Sequence, residues 1–175
     1  SFPADAKGLL CASINDPNPV LFFEHKALYR SIYQDVSEDY YTIEIGRASL
    51  LKEGNDVTII TYGAGVHWAL DTLKTHPNIS ADLIDLRTLQ PLDEVAIFTS
   101  VKKTGKVIFL QEDSLFGSIS SDVSALITEN CFEFLDAPVK RVASIETPIP
   151  FQGELEKQYL PKHRFAFELK TLIDY

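Results

Sequence analysis

Three places in this sequence bring together residue types that can do chemistry. Gly63-Ala64-Gly65 follows a β-branched run and precedes a helical pattern, the setting in which a glycine-rich turn holds a dinucleotide. Position 68 is Trp, so the full GxGxxG spacing is absent, and the glycines read as a tight strand-to-helix turn. Gly117-Ser118-Ile119-Ser120-Ser121 stands before another helical pattern, where backbone N–H groups can hold an anion. Helix capping by Ser118 or Ser120 accounts for the same residues without a ligand. Glu112-Asp113 follows an apolar strand, and paired carboxylates can act as acid and base. Without a partner His or Lys close by in sequence, they read as a solvated loop. His25, His67, His76 and His163 have no metal-ligand spacing among themselves. Neither a nucleophile elbow nor a Walker motif occurs. Taken alone, these residues describe a binding or assembly module without a legible catalytic set.

The elements that must position them follow from periodicity. Residues 5–15 form a short helical pattern with Ala6, Leu9, Leu10 and Ser13 on one face. Asn15-Asp16-Pro17-Asn18-Pro19 is a turn. Val20-Leu21-Phe22-Phe23 then reads as a buried strand, and the polar, acidic stretch 31–41 as a linker. Beyond residue 40 strands and helices alternate. Strands are expected at 47–52, 57–61, 81–86, 107–110 and 138–143. Helices are expected after Gly65, from Pro91 to Lys103, around Ile119–Ile127, and from Phe165 to the end. Alternation at this spacing predicts an α/β fold, a three-layer open sheet of about five mostly parallel strands with one antiparallel edge strand at 47–52.

Composition excludes several classes. The formal net charge of −9 argues against nucleic-acid binding, which needs Lys and Arg on the phosphates, and leaves room for a basic protein partner. No apolar run approaches the roughly 20 residues that span a bilayer, and the start lacks a signal-peptide pattern. Cys11 and Cys131 form no redox or metal motif and read as free thiols. Met is absent, even at position 1, which suggests a sequence that starts inside a longer chain.

A family resemblance runs through nearly the whole sequence, in order. Its carriers are Ala6-Lys7-Gly8-Leu9-Leu10, Asp16-Pro17-Asn18-Pro19-Val20 and Phe23-Glu24-His25-Lys26-Ala27-Leu28-Tyr29-Arg30. Tyr62-Gly63-Ala64-Gly65-Val66-His67, Ile84-Asp85-Leu86-Arg87-Thr88-Leu89-Gln90-Pro91-Leu92-Asp93 and Ala137-Pro138-Val139-Lys140-Arg141-Val142 continue it. These stretches resemble the beta subunits, or the C-terminal part of fused alpha–beta chains, of thiamine-diphosphate-dependent 2-oxoacid dehydrogenases. Phe22-Phe23-Glu24, Leu28-Tyr29-Arg30 and the ending Leu172-Ile173-Asp174-Tyr175 lean towards the branched-chain, 2-oxoisovalerate type. One departure stands out: where the family often has His-Glu-Ala-Pro, this chain has Gln111-Glu112-Asp113-Ser114.

The resemblance implies a transketolase C-terminal-like domain over residues 41–175. Residues 1–40 would then be the last helix and strand of a pyrimidine-binding domain plus its connector. It implies thiamine diphosphate and Mg in the full enzyme, bound by residues outside this chain, so that this part alone has no catalytic or cofactor-binding residues. It implies a structural potassium site at Ser13, Asp16 and Asn18, expected to be unfilled in this part alone; a plain Asx-type turn is the alternative. The implied partners are an alpha subunit or alpha-like region, self-association across a two-fold axis, and the basic binding domain of a dihydrolipoyl acyltransferase. Glu133, Asp136, Asp174 and Tyr175 are the candidates to meet that basic domain, against the alternative of simple solvated charges. The implied compartment is the cytoplasm, or the mitochondrial matrix in a eukaryote. A C-terminal domain of pyruvate dehydrogenase or of another transketolase-like enzyme, and a stand-alone α/β binding module, remain alternatives.

Overall fold

The computed structural model describes all 175 residues. Its centre is a five-stranded sheet in the order β1-β3-β2-β4-β5. The strands are β1 (Ser49–Lys52), β2 (Val57–Thr61), β3 (Ala81–Asp85), β4 (Val107–Ser114) and β5 (Lys140–Ser144). Only β1 runs antiparallel, against β3; the β2–β3, β2–β4 and β4–β5 pairs are parallel. The predicted architecture is therefore the observed one. Val57-Thr58-Ile59-Ile60-Thr61 is buried at every position, as a central strand covered on both faces must be.

Helices cover both faces. Helices α2 (Ala64–Thr75) and α6 (Lys162–Ile173) pack Ala69, Leu73, Phe165 and Leu169 on the face carrying Val57, Ile59, Leu83 and Leu110. Helices α3 (Glu94–Thr104) and α4 (Ile119–Cys131) pack Ile97, Val101, Val123 and Ile127 on the opposite face, against Ile60, Ile84 and Phe109. The alternation of side chains along each strand divides the apolar residues between these two layers.

Helix ends show local sequence logic. Asp93 caps α3 by accepting from Ala96 N at 3.1 Å. Its other oxygen accepts from Ala48 N at 2.9 Å and fixes the approach to β1. The helix thus begins at Glu94, three residues later than its predicted start at Pro91. Gly105 ends it at φ 68, a left-handed conformation that suits glycine.

Two expectations need correction, and one element is unforeseen. Val20–Phe23 is not a strand: Leu21 is 84% and Phe23 88% exposed, and no other strand pairs with them. An apolar run supplies the propensity for a strand, but backbone hydrogen bonds need a neighbour. Helix α1 (Pro3–Asn15) buries Asp5, Gly8 and Leu9, while Ala6 and Leu10 face outward. Its inner face is thus turned from the expected one, because Asp5 has a buried partner. A short helix, α5 (Gly153–Tyr159), was not expected; six of its seven residues are exposed, so apolar periodicity did not reveal it.

Candidate functional site

In an open α/β sheet the natural ligand position lies beyond the carboxyl ends of the strands, where the chain order reverses. Here that place is between β2 and β4, since β3 lies on one side of β2 and β4 on the other. β2 delivers Tyr62 and the Gly63-Ala64-Gly65 turn; β4 delivers Gln111, Glu112 and Asp113. The turn is tight because Gly65 presses on Thr61, where a Cβ would come within 2.1 Å of Oγ1. That packing supports the plain strand-to-helix reading of the glycines.

The crevice is acidic. Burial, with the charges of Asp113 and Glu112 adding to it, pushes the Tyr62 phenol up to about 12. Glu112 is not solitary. Its Oε2 lies 2.8 Å from His25 Nε2, across 87 residues of sequence. The expectation of a solvated loop without a partner is therefore wrong for Glu112, because the partner comes from the arm before β1. His25 Nδ1 is buried without a hydrogen-bond partner. The carboxylates at this crevice would repel a bare diphosphate.

Gln111 is fully buried and bridges two elements. Its Nε2 donates to Ser114 O at 2.7 Å, and its Oε1 accepts from Ser120 N at 3.2 Å, in the first turn of α4. The expected cap from Ser118 or Ser120 is thus supplied by Gln111 instead. Ser118 Oγ donates back to Leu115 O and lies 3.0 Å from Ser120 Oγ. An amide does this job because it donates and accepts at once.

Next to the crevice a second polar group joins α1 to the sheet. Arg87 Nη2 donates to Asp5 Oδ1 at 2.7 Å, with both side chains largely buried. Asp85, at the end of β3, accepts from Arg87 N at 3.1 Å through Oδ1, while Oδ2 has no partner within hydrogen-bond distance. Burial pushes the Asp85 carboxyl up. Thr61 Oγ1 is also buried and unpartnered.

The turn after α1 holds Ser13, Asp16 and Asn18. Asp16 Oδ1 accepts from Asn18 N at 2.8 Å and from Asn18 Nδ2 at 3.0 Å, an Asx turn. Ser13 Oγ donates to Leu9 O at 2.7 Å. Pro17 and Pro19 have no N–H, so the Ser13 and Asn15 carbonyls at the helix end lack their usual i+4 donors. Open carbonyls beside a carboxylate are the oxygen donors a hard cation takes. Ser13 would take part through its carbonyl, since its hydroxyl is turned back on the helix.

Glu133, Asp136, Asp174 and Tyr175 lie at the opposite end of the sheet, and all four are exposed. The α3–β4 junction ties them together: Asp136 N donates to Gly105 O at 2.8 Å, and Lys106 Nζ donates to Ile173 O at 2.5 Å. Phe132 and Phe134 stand among these carboxylates with exposed rings. Lys102 Nζ sits 5.2 Å from the centre of the Phe134 ring, so the patch is mixed rather than purely acidic.

Residues 46–164 match the family model described as transketolase, C-terminal domain. The chain belongs to that family. It is 48% identical over 163 residues to the 2-oxoisovalerate dehydrogenase subunit beta of Bacillus subtilis (strain 168), a match covering 91% of this chain and 50% of that protein. It is 47% identical over 171 residues to the pyruvate dehydrogenase E1 component subunit beta of the same organism, covering 96% and 52%. It is also 47% identical over 163 residues to the Bacillus subtilis acetoin:2,6-dichlorophenolindophenol oxidoreductase subunit beta, covering 92% and 47%. Among solved structures it resembles a split gene transketolase described as an inactive beta4 tetramer, at 28% identity and a TM-score of 0.66, covering 83% of this chain and 47% of that one. The resemblance to 2-oxoacid dehydrogenase beta subunits therefore stands. The chain spans about half the length of the curated relatives it matches. No helix is long and apolar enough to cross a membrane.

Proposed function

We propose that this transketolase C-terminal domain and the forty residues before it serve as the assembly and partner-binding part of the decarboxylating component of a 2-oxoacid dehydrogenase complex. The observation that carries this is the 48% identity to a beta subunit across 91% of the chain, combined with an acidic crevice where other α/β domains bind phosphates. The parent enzyme would decarboxylate a branched-chain 2-oxoacid, in the manner of a 3-methyl-2-oxobutanoate dehydrogenase. It would then pass the acyl group to the lipoyl group of a dihydrolipoyl acyltransferase. Thiamine diphosphate and Mg would be held by residues outside this chain, and this part alone would be inactive. Pyruvate is the second substrate reading, favoured by the 47% identity to a pyruvate dehydrogenase beta subunit.

Residues 1–40 are read as the end of the pyrimidine-binding domain plus connector, and 41–175 as the C-terminal domain. The family match from residue 46 onward supports this division. So does the bare Val20–Phe23 run, an apolar segment with strand propensity and no strand beside it. The turn at Ser13, Asp16 and Asn18 is read as part of a potassium site that the rest of that domain would complete. The further partners are an alpha subunit or alpha-like region and a second copy of the chain. The compartment would be the cytoplasm, or the mitochondrial matrix in a eukaryote.

Docking of the acyltransferase is assigned to Glu133, Asp136, Asp174 and Tyr175. Carboxylates beside exposed aromatic rings suit a small basic domain, because opposite charge guides encounter and the rings supply buried area. The test is calorimetric titration of the acyltransferase's basic domain into the natural-length protein and into a D136K/D174K variant. Loss of about tenfold or more in affinity supports the assignment; unchanged affinity sinks it. A parallel titration of thiamine diphosphate into residues 1–175 checks the cofactor reading. Tight binding there would overturn it.

A further inference from the structure

Arg87 is the single non-glycine residue with a positive φ, at 58°. For an L-residue with a long side chain this conformation is strained. Such strain persists only where the surroundings over-determine it. Here they do so from two sides. Asp85 Oδ1 accepts the Arg87 N–H at 3.1 Å, and Thr88 N donates to Leu86 O at 2.5 Å, so the backbone is folded tightly straight after β3. The guanidinium then meets Asp5 in the first turn of α1 at 2.7 Å.

Residues 1–40 also meet the α/β domain on either side of α1, through Ser1 O and the Phe2 ring at His67, 2.9 and 5.1 Å away, and through His25 at Glu112, but the other polar fastenings of α1 itself lead elsewhere. Ile43 N donates to Gly8 O at 3.1 Å, Tyr41 Oη donates to Ala4 O at 2.8 Å, and Lys7 Nζ donates to Asp39 O at 2.8 Å. These tie the helix to the 39–43 arm, which belongs to no strand. The Asp5–Arg87 pair ties it to the sheet itself, with side-chain exposures of only 9% and 19%.

We propose that Arg87 is an anchor that orients α1, and with it residues 1–40, on the α/β domain. Its left-handed backbone is retained because that geometry brings the guanidinium to Asp5. The pair links segments 82 residues apart, on either side of the start of the family match at residue 46.

The test uses the protein at its natural length. Amide hydrogen exchange is followed in R87G, in R87K and in the charge-reversed D5R/R87D double variant. R87G relieves the backbone strain and removes the guanidinium; R87K keeps the charge and loses the planar fork. The expected result is exchange about tenfold or more faster across residues 3–15 in R87G, with β2 and β4 amides unchanged. R87K should fall between R87G and the wild type, and the double variant should recover protection that the single changes D5R and R87D lose. Two results would overturn the proposal. One is unchanged exchange in α1 on R87G, which would make the strain a property of the local turn alone. The other is a uniform rise through β2 and β4, which would make Arg87 a general stabiliser.

Discussion

Strand β3 carries two buried aspartates, Asp82 and Asp85, and the contrast between them separates the two ends of the molecule. Asp82 is 1% exposed and Asp85 is fully buried. Asp82 accepts from Gly54 N at 2.9 Å, Ser100 Oγ at 2.6 Å and Lys103 Nζ at 2.6 Å. Beyond it, Thr58 Oγ1 joins Ser100 and Thr104 at 2.6 and 2.7 Å, so the network closes on itself. Asp85 accepts one bond through Oδ1 and leaves Oδ2 bare, with Thr61 Oγ1 and Arg87 Nε also unpartnered nearby. Closed buried networks hold a fold together, whereas a buried group with an unfilled hydrogen bond weakens its surroundings. The closed network links β2, β3 and α3. The open one lies where residues 1–40 meet the sheet.

The largest effect is expected from breaking the closed end. Asp82→Ala would leave Ser100 Oγ and Gly54 N without their acceptor in a buried setting, and would release Lys103, whose own side chain is 41% exposed. Leaving two buried donors unpaired costs about 2 kcal/mol or more. Chemical denaturation of the natural-length protein measures it, and a loss under about 1 kcal/mol would erase the distinction between the two ends.

Most of the frame of this comparison was legible in the sequence, and most of the comparison itself was not. Val57–Thr61 and Val107–Leu110 announce themselves because a buried strand needs a continuous β-branched or apolar run. The terminal carboxylates were legible as candidates only through family resemblance. His25–Glu112 and Asp5–Arg87 were invisible, since pairs 87 and 82 residues apart leave no local pattern. The rotated face of α1 follows from the second pair: a carboxylate counts as outward-facing in any periodicity reading, until a guanidinium meets it inside. Val20–Phe23 misled for the converse reason, because it has the composition of a strand and no edge to join.

Gln111 sits at the open end of β4 but is itself closed, and a substitution there sharpens the contrast by adding a titratable group. In Gln111→His, a neutral imidazole can accept from Ser120 N and donate to Ser114 O, as the amide does. The expected stability at pH 8 is within about 1 kcal/mol of wild type. An imidazolium cannot accept, so the folded state would favour the neutral ring and hold the histidine pKa below its unfolded value of about 6.5. Stability should then fall by about 1–2 kcal/mol as pH drops through 6. A variant whose stability tracks wild type from pH 8 to pH 5 would show that the Ser120 bond contributes nothing.

Asp85→Asn tests the bare oxygen directly. Burial raises the folded carboxyl pKa above its ordinary 3.8. The folded state therefore binds the proton more readily than the unfolded one, and this group's contribution becomes less favourable as pH rises from that value upward. The amide removes the titration. Stability at neutral pH should change by no more than about 1 kcal/mol, in either direction, against the larger loss for Asp82→Ala. Urea midpoints collected between pH 4 and 7 should show a flatter profile for the variant than for wild type. A steeper profile, or a loss as large as that of Asp82→Ala, would mean that Asp85 is as fully engaged as its neighbour.

The smallest effect is expected at Tyr62, in the acidic crevice between β2 and β4. Its phenol is raised from 10.0 to about 12, by burial first and then by Asp113 and Glu112. Between those two values the folded state retains a proton that the unfolded state has released. Stability therefore drops as pH climbs from 10 to 12, and at neutral pH the group contributes nothing through titration. Tyr62→Phe keeps the ring and its edge-on contact with Phe109, whose centroid lies 6.4 Å away. At pH 7 the substitution should change stability by less than about 0.5 kcal/mol. Absorbance near 295 nm, followed while the folded protein is titrated to alkaline pH, separates the late phenol from those that ionise earlier. The variant should lack the last step of that curve. If the last step survives in Tyr62→Phe, the carboxylates do not face this phenol as the structure places them, and the crevice is less acidic than its residues imply.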